Sequence, residues 1–446
     1  MHRSISTLAL AALLAGAATA VAQAPNPPAP VATAGSSAAE ETATRLLEQL
    51  DASDYRGAAS GFSAEMAAAL PVDQLKAVWE SLPAQFGAAT GRGESKIVEH
   101  GGMQVVLVPL RHERGELLAQ VAVDAEGKIA GFMIKPAPPP AAAPPPEDAG
   151  FSESDFSIGE GDDALPGTLA MPAGEGPFPG VVLVHGSGPH DRDETVGANR
   201  PFLDIARGLA SQGIAVLRYD KRTSARPQDF ADGDFTIDEE TTDDAVAAVA
   251  ALRGADRVDP DRVFVLGHSQ GGMLAPRIAA RSGEVAGLVM LAAPARPLLD
   301  LLPEQNRYLL SADGSINAAE QDFLETLDEQ IARVRSGEPM EAKDTPMGLP
   351  PGYWRQFDAI DPVADAVQTE LPMLLLQGGR DFQVVDADWQ LWQRALGDRD
   401  DVTLRHYPSL NHLGIAGEGP GSLEEYQTPG HVDERLISDI AGWIKR

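Results

Sequence analysis

The chain of 446 residues predicts an α/β fold after about residue 150, with a mostly parallel, doubly wound sheet that carries helices on both faces. Short apolar segments such as Gly180–His185 alternate with amphipathic segments such as Pro201–Gln212. This alternation is typical of parallel strands joined by crossover helices. The segment of about 297–365 holds helical patterns without a convincing strand, which indicates a helical insertion into the fold. A small α+β domain is predicted ahead of this α/β fold, before residue 150.

The elements of the large domain, 150–446, follow in a regular order. Phe156–Ile158 and Ala164–Met171 predict an opening hairpin, because short apolar runs there are separated by turn residues. The later strands are predicted at Gly180–His185, Ile214–Tyr219, Arg262–Leu266, Val285–Leu291, Pro372–Leu376 and Val402–Tyr407. The helices are predicted at Pro201–Gln212, Asp238–Arg253, Asp386–Leu396 and Val432–Lys445.

The longest helical pattern of the insertion is Glu320–Arg335, whose apolar residues recur at helical spacing. An insertion placed above the carboxyl ends of the strands would cover a site there as a cap. We therefore predict a cap at about 297–365, with an ordinary surface excursion as the alternative.

Proline-rich segments divide the rest of the chain. Residues 23–37 are rich in Pro, Ala and Ser and predict a disordered spacer. Residues 136–149 include two proline runs, which favour an extended, semi-rigid linker. Between them, 38–135 predicts helices followed by three strands, which makes this a small α+β domain. Its strands are predicted at Met103–Leu110, Leu117–Val123 and Ile129–Ile134.

The first 22 residues resemble a secretory signal peptide, with Arg3, an apolar centre at Leu8–Ala18 and the small residues Ala20-Val21-Ala22. We expect an exported protein, periplasmic or secreted. The chain has no cysteine, which excludes disulfides, thiolate metal sites and a cysteine-linked lipid anchor, so no stable membrane anchor is expected. Its formal net charge of −31 disfavours binding to nucleic acid and to anionic membranes.

Gly267-His268-Ser269-Gln270-Gly271 carries the most information about chemistry. It follows the apolar run Val263–Leu266 and precedes a helical pattern, the setting of a nucleophile elbow, in which the serine sits on a sharp turn at the top of a sheet. We predict Ser269 as a catalytic nucleophile. A glycine-rich turn with an idle serine is the alternative.

A serine nucleophile needs a base and an acid, which sheet-based serine enzymes supply in the order Ser, Asp or Glu, then His. His412 lies in the loop after the strand Val402–Tyr407 and is the predicted base, ahead of His406 and His431. Asp381 ends the glycine turn after the strand Pro372–Leu376 and is the predicted acid. Asp386 and Asp388 begin the next helix, where we expect them to act as helix-capping charges.

An oxyanion hole needs two backbone N–H donors. Gln270 follows the nucleophile and supplies the first, and Ser187, in the glycine-rich turn after Gly180–His185, is predicted to supply the second, with Gly188 as competitor. This chemistry requires no metal and no organic cofactor. Several charged residues near these loops predict either an ion network that shapes the site or solvated loop charges: Asp191, Arg192, Asp193 and Asp220-Lys221-Arg222.

The large domain resembles the α/β-hydrolase family, and within it bacterial esterase-like members. The resemblance is carried by His185-Gly186-Ser187-Gly188-Pro189, Arg192-Asp193, Asp220-Lys221-Arg222, Gly267–Gly272 and Leu410-Asn411-His412. It implies the α/β-hydrolase fold, the triad Ser269, Asp381 and His412, and hydrolysis of small-molecule esters, often with short acyl chains. The N-terminal domain resembles a small domain of unknown function that precedes such hydrolases.

Two alternatives stay open. A peptidase of the same fold would bind a free amine, and the acidic residues Glu325, Asp328 and Glu329 of the insertion would suit it, although they equally suit a solvated helix face. A binding module with an inactive large domain is the alternative from another class. The oligomeric state is not set by any feature of the sequence.

Overall fold

A computed structural model describes residues 38–446 except 101–102, 138–141, 231–232 and 234. The predicted signal peptide and spacer, 1–37, and the centre of the predicted linker lie outside the described residues. The chain separates into two compact units, with the division between residues 141 and 142.

The described residues of the small unit form four helices followed by a five-stranded antiparallel sheet. Leu46, Leu47 and Leu50 of the first helix are fully buried, because they share the face that packs onto the core of this unit. Two of its strands, Ala89–Arg92 and Lys96–His100, were not predicted. The first of them is mostly exposed and carries no apolar run. The helices are α1 Ala38–Asp51, α2 Tyr55–Ser60, α3 Ala64–Ala69 and α4 Val72–Phe86, and the strands are β1 Ala89–Arg92, β2 Lys96–His100, β3 Met103–His112, β4 Gly115–Val123 and β5 Ile129–Pro136.

The large unit is built on an eight-stranded sheet. Its strands are β6 Phe151–Ile158, β7 Leu165–Pro172, β8 Phe178–Val184, β9 Ala215–Tyr219, β10 Val258–His268, β11 Leu288–Leu291, β12 Met373–Gly378 and β13 Val402–Tyr407. Their order across the sheet is β13-β12-β11-β10-β8-β9-β7-β6. The first six strands in this order pair in parallel, and the pairs β9–β7 and β7–β6 are antiparallel. This confirms the predicted class of fold.

Helices cover both faces of this sheet. Within β8, Val181 and Leu183 belong to one core cluster, and Val182 and Val184 to the other, because side chains alternate along a strand. All four are fully buried, as expected for a parallel sheet covered on both sides. The helices outside the insertion are α5 Pro201–Ala210, α6 Arg222–Ala225, α7 Asp243–Arg253, α8 Gln270–Ser282, α13 Asp386–Leu396 and α14 Glu434–Ile444.

The insertion after β11 is helical, as predicted. Its longest helix begins with a capping box, in which the Asn317 side chain accepts from backbone N–H groups and Glu320 accepts from the Asn317 N–H. Tyr353, Trp354 and Phe357 of a later helix are buried in the same core cluster as the sheet. The four helices are α9 Leu298–Leu310, α10 Ala318–Ser336, α11 Pro351–Asp358 and α12 Pro362–Gln368.

No helix in the described ranges combines the length and the apolar character needed to cross a membrane.

Candidate active site

Ser269 lies on a sharp turn between β10 and α8, with φ 51° and ψ −119°. Few residues other than glycine adopt such a backbone conformation, and it marks strain held in place by the surrounding structure. A Cβ at Gly267 would lie 2.1 Å from the carbonyl oxygen of Gly271, and a Cβ at Gly271 would lie 2.2 Å from that of Val184. Glycine is therefore required on both sides of the serine, which is the geometry of a nucleophile elbow.

Asp381 and His412 meet at the carboxyl ends of two neighbouring parallel strands, β12 and β13. His412 Nδ1 lies 2.8 Å from Asp381 Oδ2, and both residues are buried. The other carboxylate oxygen of Asp381 accepts the backbone N–H groups of Gln383 and Val384, at 2.8 and 2.9 Å. The carboxylate is fixed from both sides, so it sets the orientation of the imidazole ring.

His412 also lies beside the elbow. Its ring centre is 4.7 Å from that of His268, the residue before Ser269, and its carbonyl oxygen is 2.9 Å from His268 Nε2. Within the described chain, no hydrogen bond joins Ser269 Oγ to His412 Nε2. Such contacts are often long in the absence of substrate and tighten in the complex. The structure thus places the three predicted residues at one edge of the sheet and hydrogen-bonds two of them.

Ser187 and Gln270, predicted to supply the oxyanion donors, line one small cavity together with Ser269. Gln270 is the first residue of α8, where backbone N–H groups have no partner within the helix. The Ser187 N–H has no hydrogen-bond partner among the described residues. Gly188, the competitor, does not line the cavity. Both backbone donors are therefore available to a ligand beside Ser269.

The cavity encloses about 30 Å³, room for about two water molecules. Apolar side chains from α8 and the insertion form most of its wall: Met273, Pro294, Leu298, Leu302, Met347 and Phe357. The polar residues around it are uncharged: Ser187, Ser269, Gln270, Gln305 and Gln383. The insertion therefore contributes to the wall of the cavity, as a cap would.

The capping role predicted for Asp388 is wrong. Asp388 is fully buried and accepts hydrogen bonds from the N–H groups of Ala295 and Arg296, while its carboxylate also pairs with the Arg296 guanidinium at 2.6 Å. It ties α13 to the loop after β11, more than ninety residues earlier. Such a distant partner leaves no signal in the local sequence.

The alternative residues occupy peripheral positions. The carboxylate of Asp386 is 73% exposed and lies 3.6 Å from His406 Nε2. His406 packs against Trp389 on the outside of β13 and α13. His431 is 87% exposed and lies near Asp204. None of these three side chains lines the cavity.

The charged residues near the loops form an ion network. Arg192 donates two hydrogen bonds to the Asp220 carboxylate, and Arg218 pairs with Asp193 at 2.8 Å. Arg222 pairs with Asp244 at 2.6 Å. Of the two readings that the sequence left open, the structure favours the network.

Two buried residues of the site escaped the sequence-based prediction, Glu194 and His268. Glu194 Oε2 lies 3.0 Å from His268 Nδ1. Burial disfavours the charge on each, but their mutual attraction outweighs it: the pKa of Glu194 falls to about 2 and the pKa of His268 rises. In the sequence, only His268 belongs to a recognised motif, Gly267–Gly271, and Glu194 belongs to none.

Among the residues that the structure describes, no cluster of three or more His, Cys, Asp or Glu side chains could hold a metal ion.

The fold and this arrangement are those of an α/β-hydrolase with a serine nucleophile elbow. The family model described as "Serine aminopeptidase, S33" matches residues 177–418, more than half of the chain. A second model, of a protein family of unknown function, matches residues 43–132 in the small unit. Esterase EstD of Thermotoga maritima is 38% identical over 414 residues, covering 91% of this chain and 95% of the relative. The chain belongs to the α/β-hydrolase family that these matches define.

Solved structures with a similar fold include Est1E from Butyrivibrio proteoclasticus, with a TM-score of 0.42 and 19% identity over 66% of this chain and 99% of that one. The Pyrococcus furiosus esterase Pf2001 gives a TM-score of 0.42 and 18% identity over 70% of this chain and 98% of that one.

Proposed function

We propose that the protein hydrolyses small carboxylic esters with short acyl chains, with Ser269, His412 and Asp381 as its catalytic triad. Its family and its 38% identity to an esterase make it a carboxylesterase-like serine hydrolase. The observation that supports the assignment of residues best is the buried pair of His412 and Asp381, 2.8 Å apart, beside the strained turn of Ser269.

The mechanism is a two-step acyl transfer. His412 Nε2 takes the proton of Ser269 as Oγ attacks the ester carbonyl, while Asp381 holds the imidazole through Nδ1 and stabilises its positive charge. The carbonyl oxygen takes up the electron pair as an oxyanion, which the N–H groups of Gln270 and Ser187 stabilise. The alcohol leaves with the proton from His412, and a water activated by the same histidine then releases the acid.

The cavity beside Ser269 supports an uncharged acyl group. Its largely apolar wall, which carries no charged side chain, favours an alkyl group over a charged one. The three acidic residues considered for binding a free amine, Glu325, Asp328 and Glu329, are exposed on α10 and do not line the cavity. This arrangement supports an esterase over an aminopeptidase, although the family model carries the peptidase description.

Two assays on the full chain test the proposal. Turnover of p-nitrophenyl acetate and butyrate should exceed that of aminoacyl p-nitroanilides, and turnover of the anilides alone would contradict the esterase. A fluorophosphonate probe should label the protein, and Ser269→Ala should abolish labelling. Ser211→Ala, which changes an exposed serine on α5's C-terminal end, is the matched control. A protein that is not labelled would instead favour a binding module.

We further propose that the protein is exported, to the periplasm or the medium. The pattern of residues 1–22 supports this, and cleavage after Ala22 would leave Gln23 as the first residue. The full chain produced in a Gram-negative host should be recovered from the periplasm or medium. N-terminal sequencing should begin at Gln23, or at Pro25 if cleavage instead follows the neighbouring small-residue pattern Ala22-Gln23-Ala24. Recovery of cytoplasmic protein with an intact N-terminus would contradict the proposal.

A further inference from the structure

Lys221 and Glu194 hold the backbone of the loop that follows β8. The buried Lys221 Nζ donates to the carbonyl oxygen of Gly186 at 2.9 Å, and the Gly186 N–H donates to Glu194 Oε1 at 2.6 Å. Two successive peptide groups are thereby fixed by opposite charges. The loop is pressed against the nucleophile, since a Cβ at Gly186 would lie 3.3 Å from Ser269 Cβ.

The orientation of one peptide determines the orientation of the next donor. The Gly186–Ser187 peptide is trans, so the Ser187 N–H points opposite to the Gly186 carbonyl. That carbonyl points at Lys221, which is 2% exposed and lies in the protein interior. The Ser187 N–H therefore points away from Lys221, and Ser187 lines the cavity with Ser269.

We propose that Lys221 is a positioning residue for the oxyanion hole, which orients and polarises the Gly186–Ser187 peptide from behind. The inference rests on the proposed esterase mechanism and assigns Lys221 a role in it. A cation at the carbonyl oxygen draws electron density through the peptide and strengthens the N–H as a donor to a developing oxyanion. Lys221 itself touches neither substrate nor the reacting atoms.

Glu240 anchors the lysine and connects it to the other donor. Its Oε1 pairs with Lys221 Nζ at 2.6 Å, and its Oε2 lies 3.4 Å from Gln270 Nε2. The backbone of Gln270 supplies the other oxyanion N–H. A single buried carboxylate therefore contacts Lys221 behind one donor and the side chain of the residue that carries the other. Glu240 lies in the π-helical turn Asp238–Thr242 before α7, and such turns often occur at functional sites.

The insertion also reaches this pair. Tyr353 of α11 donates its hydroxyl to Glu240 Oε2 at 2.7 Å, in a buried contact.

A buried ion pair is often no more stabilising than apolar residues of the same size, so stability alone does not account for Lys221 and Glu240. Their contacts with the Gly186 carbonyl and the Gln270 side chain suit a role in positioning the two donors.

The test compares Lys221→Met/Glu240→Gln with the unchanged protein on p-nitrophenyl butyrate. Removing both charges avoids leaving one buried charge without its partner. We expect kcat to fall by about 10- to 100-fold, less than the hundred- to thousandfold typical for a lost oxyanion donor, because the donor stays but is less well held. KM should change by less than about twofold, since the cavity wall is untouched.

A transition-state analogue separates positioning from a structural role. A trifluoromethyl ketone with a butyl chain adds to the serine as a tetrahedral oxyanion, so its Ki should rise by the same factor as kcat/KM falls. The Ki of butyrate, a product that forms no such adduct, should stay unchanged. Arg399→Met is the control: it removes an ion pair with the exposed Asp401 and hydrogen bonds to backbone carbonyls of residues 366–371, none of which lines the cavity. It should leave all constants unchanged.

A folded double variant with unchanged kcat and unchanged Ki for the ketone would overturn the proposal. If the double variant does not fold, Glu240→Gln decides, because it keeps the size of the side chain but weakens the anchor of Lys221; an unchanged kcat there would also overturn the proposal. Failure of the proposed function is a separate result, in which the unchanged protein neither turns over the ester nor reacts with a fluorophosphonate.

Discussion

The carboxylate of Asp381 sets the tautomer of His412, the proposed general base. Its Oδ1 accepts two backbone N–H groups, and its Oδ2 accepts from His412 Nδ1 at 2.8 Å and from Gln377 Nε2 at 3.2 Å. Both oxygens thus face donors only. This arrangement fixes the tautomer of His412 that carries its proton on Nδ1 and leaves Nε2 free to accept a proton from Ser269.

Asp381→Asn should therefore disable catalysis far more than folding. The amide oxygen would take the place of Oδ1, to which two backbone N–H groups donate, so the NH₂ group would face His412 Nδ1 and impose the tautomer that carries its proton on Nε2. We expect kcat to fall on the order of ten thousandfold. Steady-state kinetics with p-nitrophenyl butyrate measure this, with thermal unfolding as the check on stability. Asp386→Asn, at the exposed aspartate after the same strand, is the matched control and should keep full activity. Equal losses in both variants would rule out Asp381 as the acid.

At the scale of elements, the elbow depends on how closely α8 packs against β8. Gly271→Ala would place a Cβ 2.2 Å from the Val184 carbonyl and 2.6 Å from that of His185, and neither backbone can move without shifting the sheet. We expect this change to lower the free energy of unfolding by about 3 kcal/mol or more and to abolish turnover. Urea unfolding measures the stability.

The control for this prediction is another glycine within a helix. Gly442 lies in α14, where a Cβ would meet no atom within 4 Å. Gly442→Ala should raise the free energy of unfolding by about 0.5–1 kcal/mol, because alanine loses less backbone entropy than glycine in a helix. If Gly271→Ala were as mild, the close approach of α8 and β8 would not be a requirement of the fold.

The order of the elements could be predicted from the sequence because each depends on a local pattern. Helix α13 and strand β13 begin and end where predicted, and the elbow was found from its strand, glycines and helix. The contacts that complete the site could not be predicted, because they join distant loops. Asp388 lies far along the chain from Ala295, and Glu194 lies far from His268. In the sequence, nothing near Asp388 or Glu194 distinguishes them from ordinary charged surface residues, because their partners come close only in the folded chain.

For the whole molecule, the two histidines His185 and His190 and the carboxylate of Glu194 make folding sensitive to acid. Burial lowers the pKa of His185 to about 3 and also lowers the pKa of His190, so both stay neutral when folded but take up protons when unfolded. Despite burial, the nearby His268 lowers the pKa of Glu194 to about 2, so this carboxylate stays charged after an unfolded one is protonated. In each case the unfolded chain binds more protons, and stability falls as the pH falls. The window runs from about pH 6.5, the ordinary value for histidine, down to about 2–3.

His185→Gln tests the largest histidine contribution to this window. His185 packs against Phe202 at a tilt and against Tyr219 edge-on, and its Nε2 lies 3.1 Å from the Asp191 carbonyl, a bond that the glutamine amide can replace. Between pH 6.5 and 3 the variant should lose up to about 1.4 kcal/mol less per pH unit than the unchanged protein, because one fewer proton is taken up on unfolding. Urea unfolding across this range measures the slope, and His431→Gln, at an 87% exposed side chain, should leave it unchanged. Equal slopes in all three proteins would mean that His185 binds its proton as readily in the folded chain as in the unfolded one.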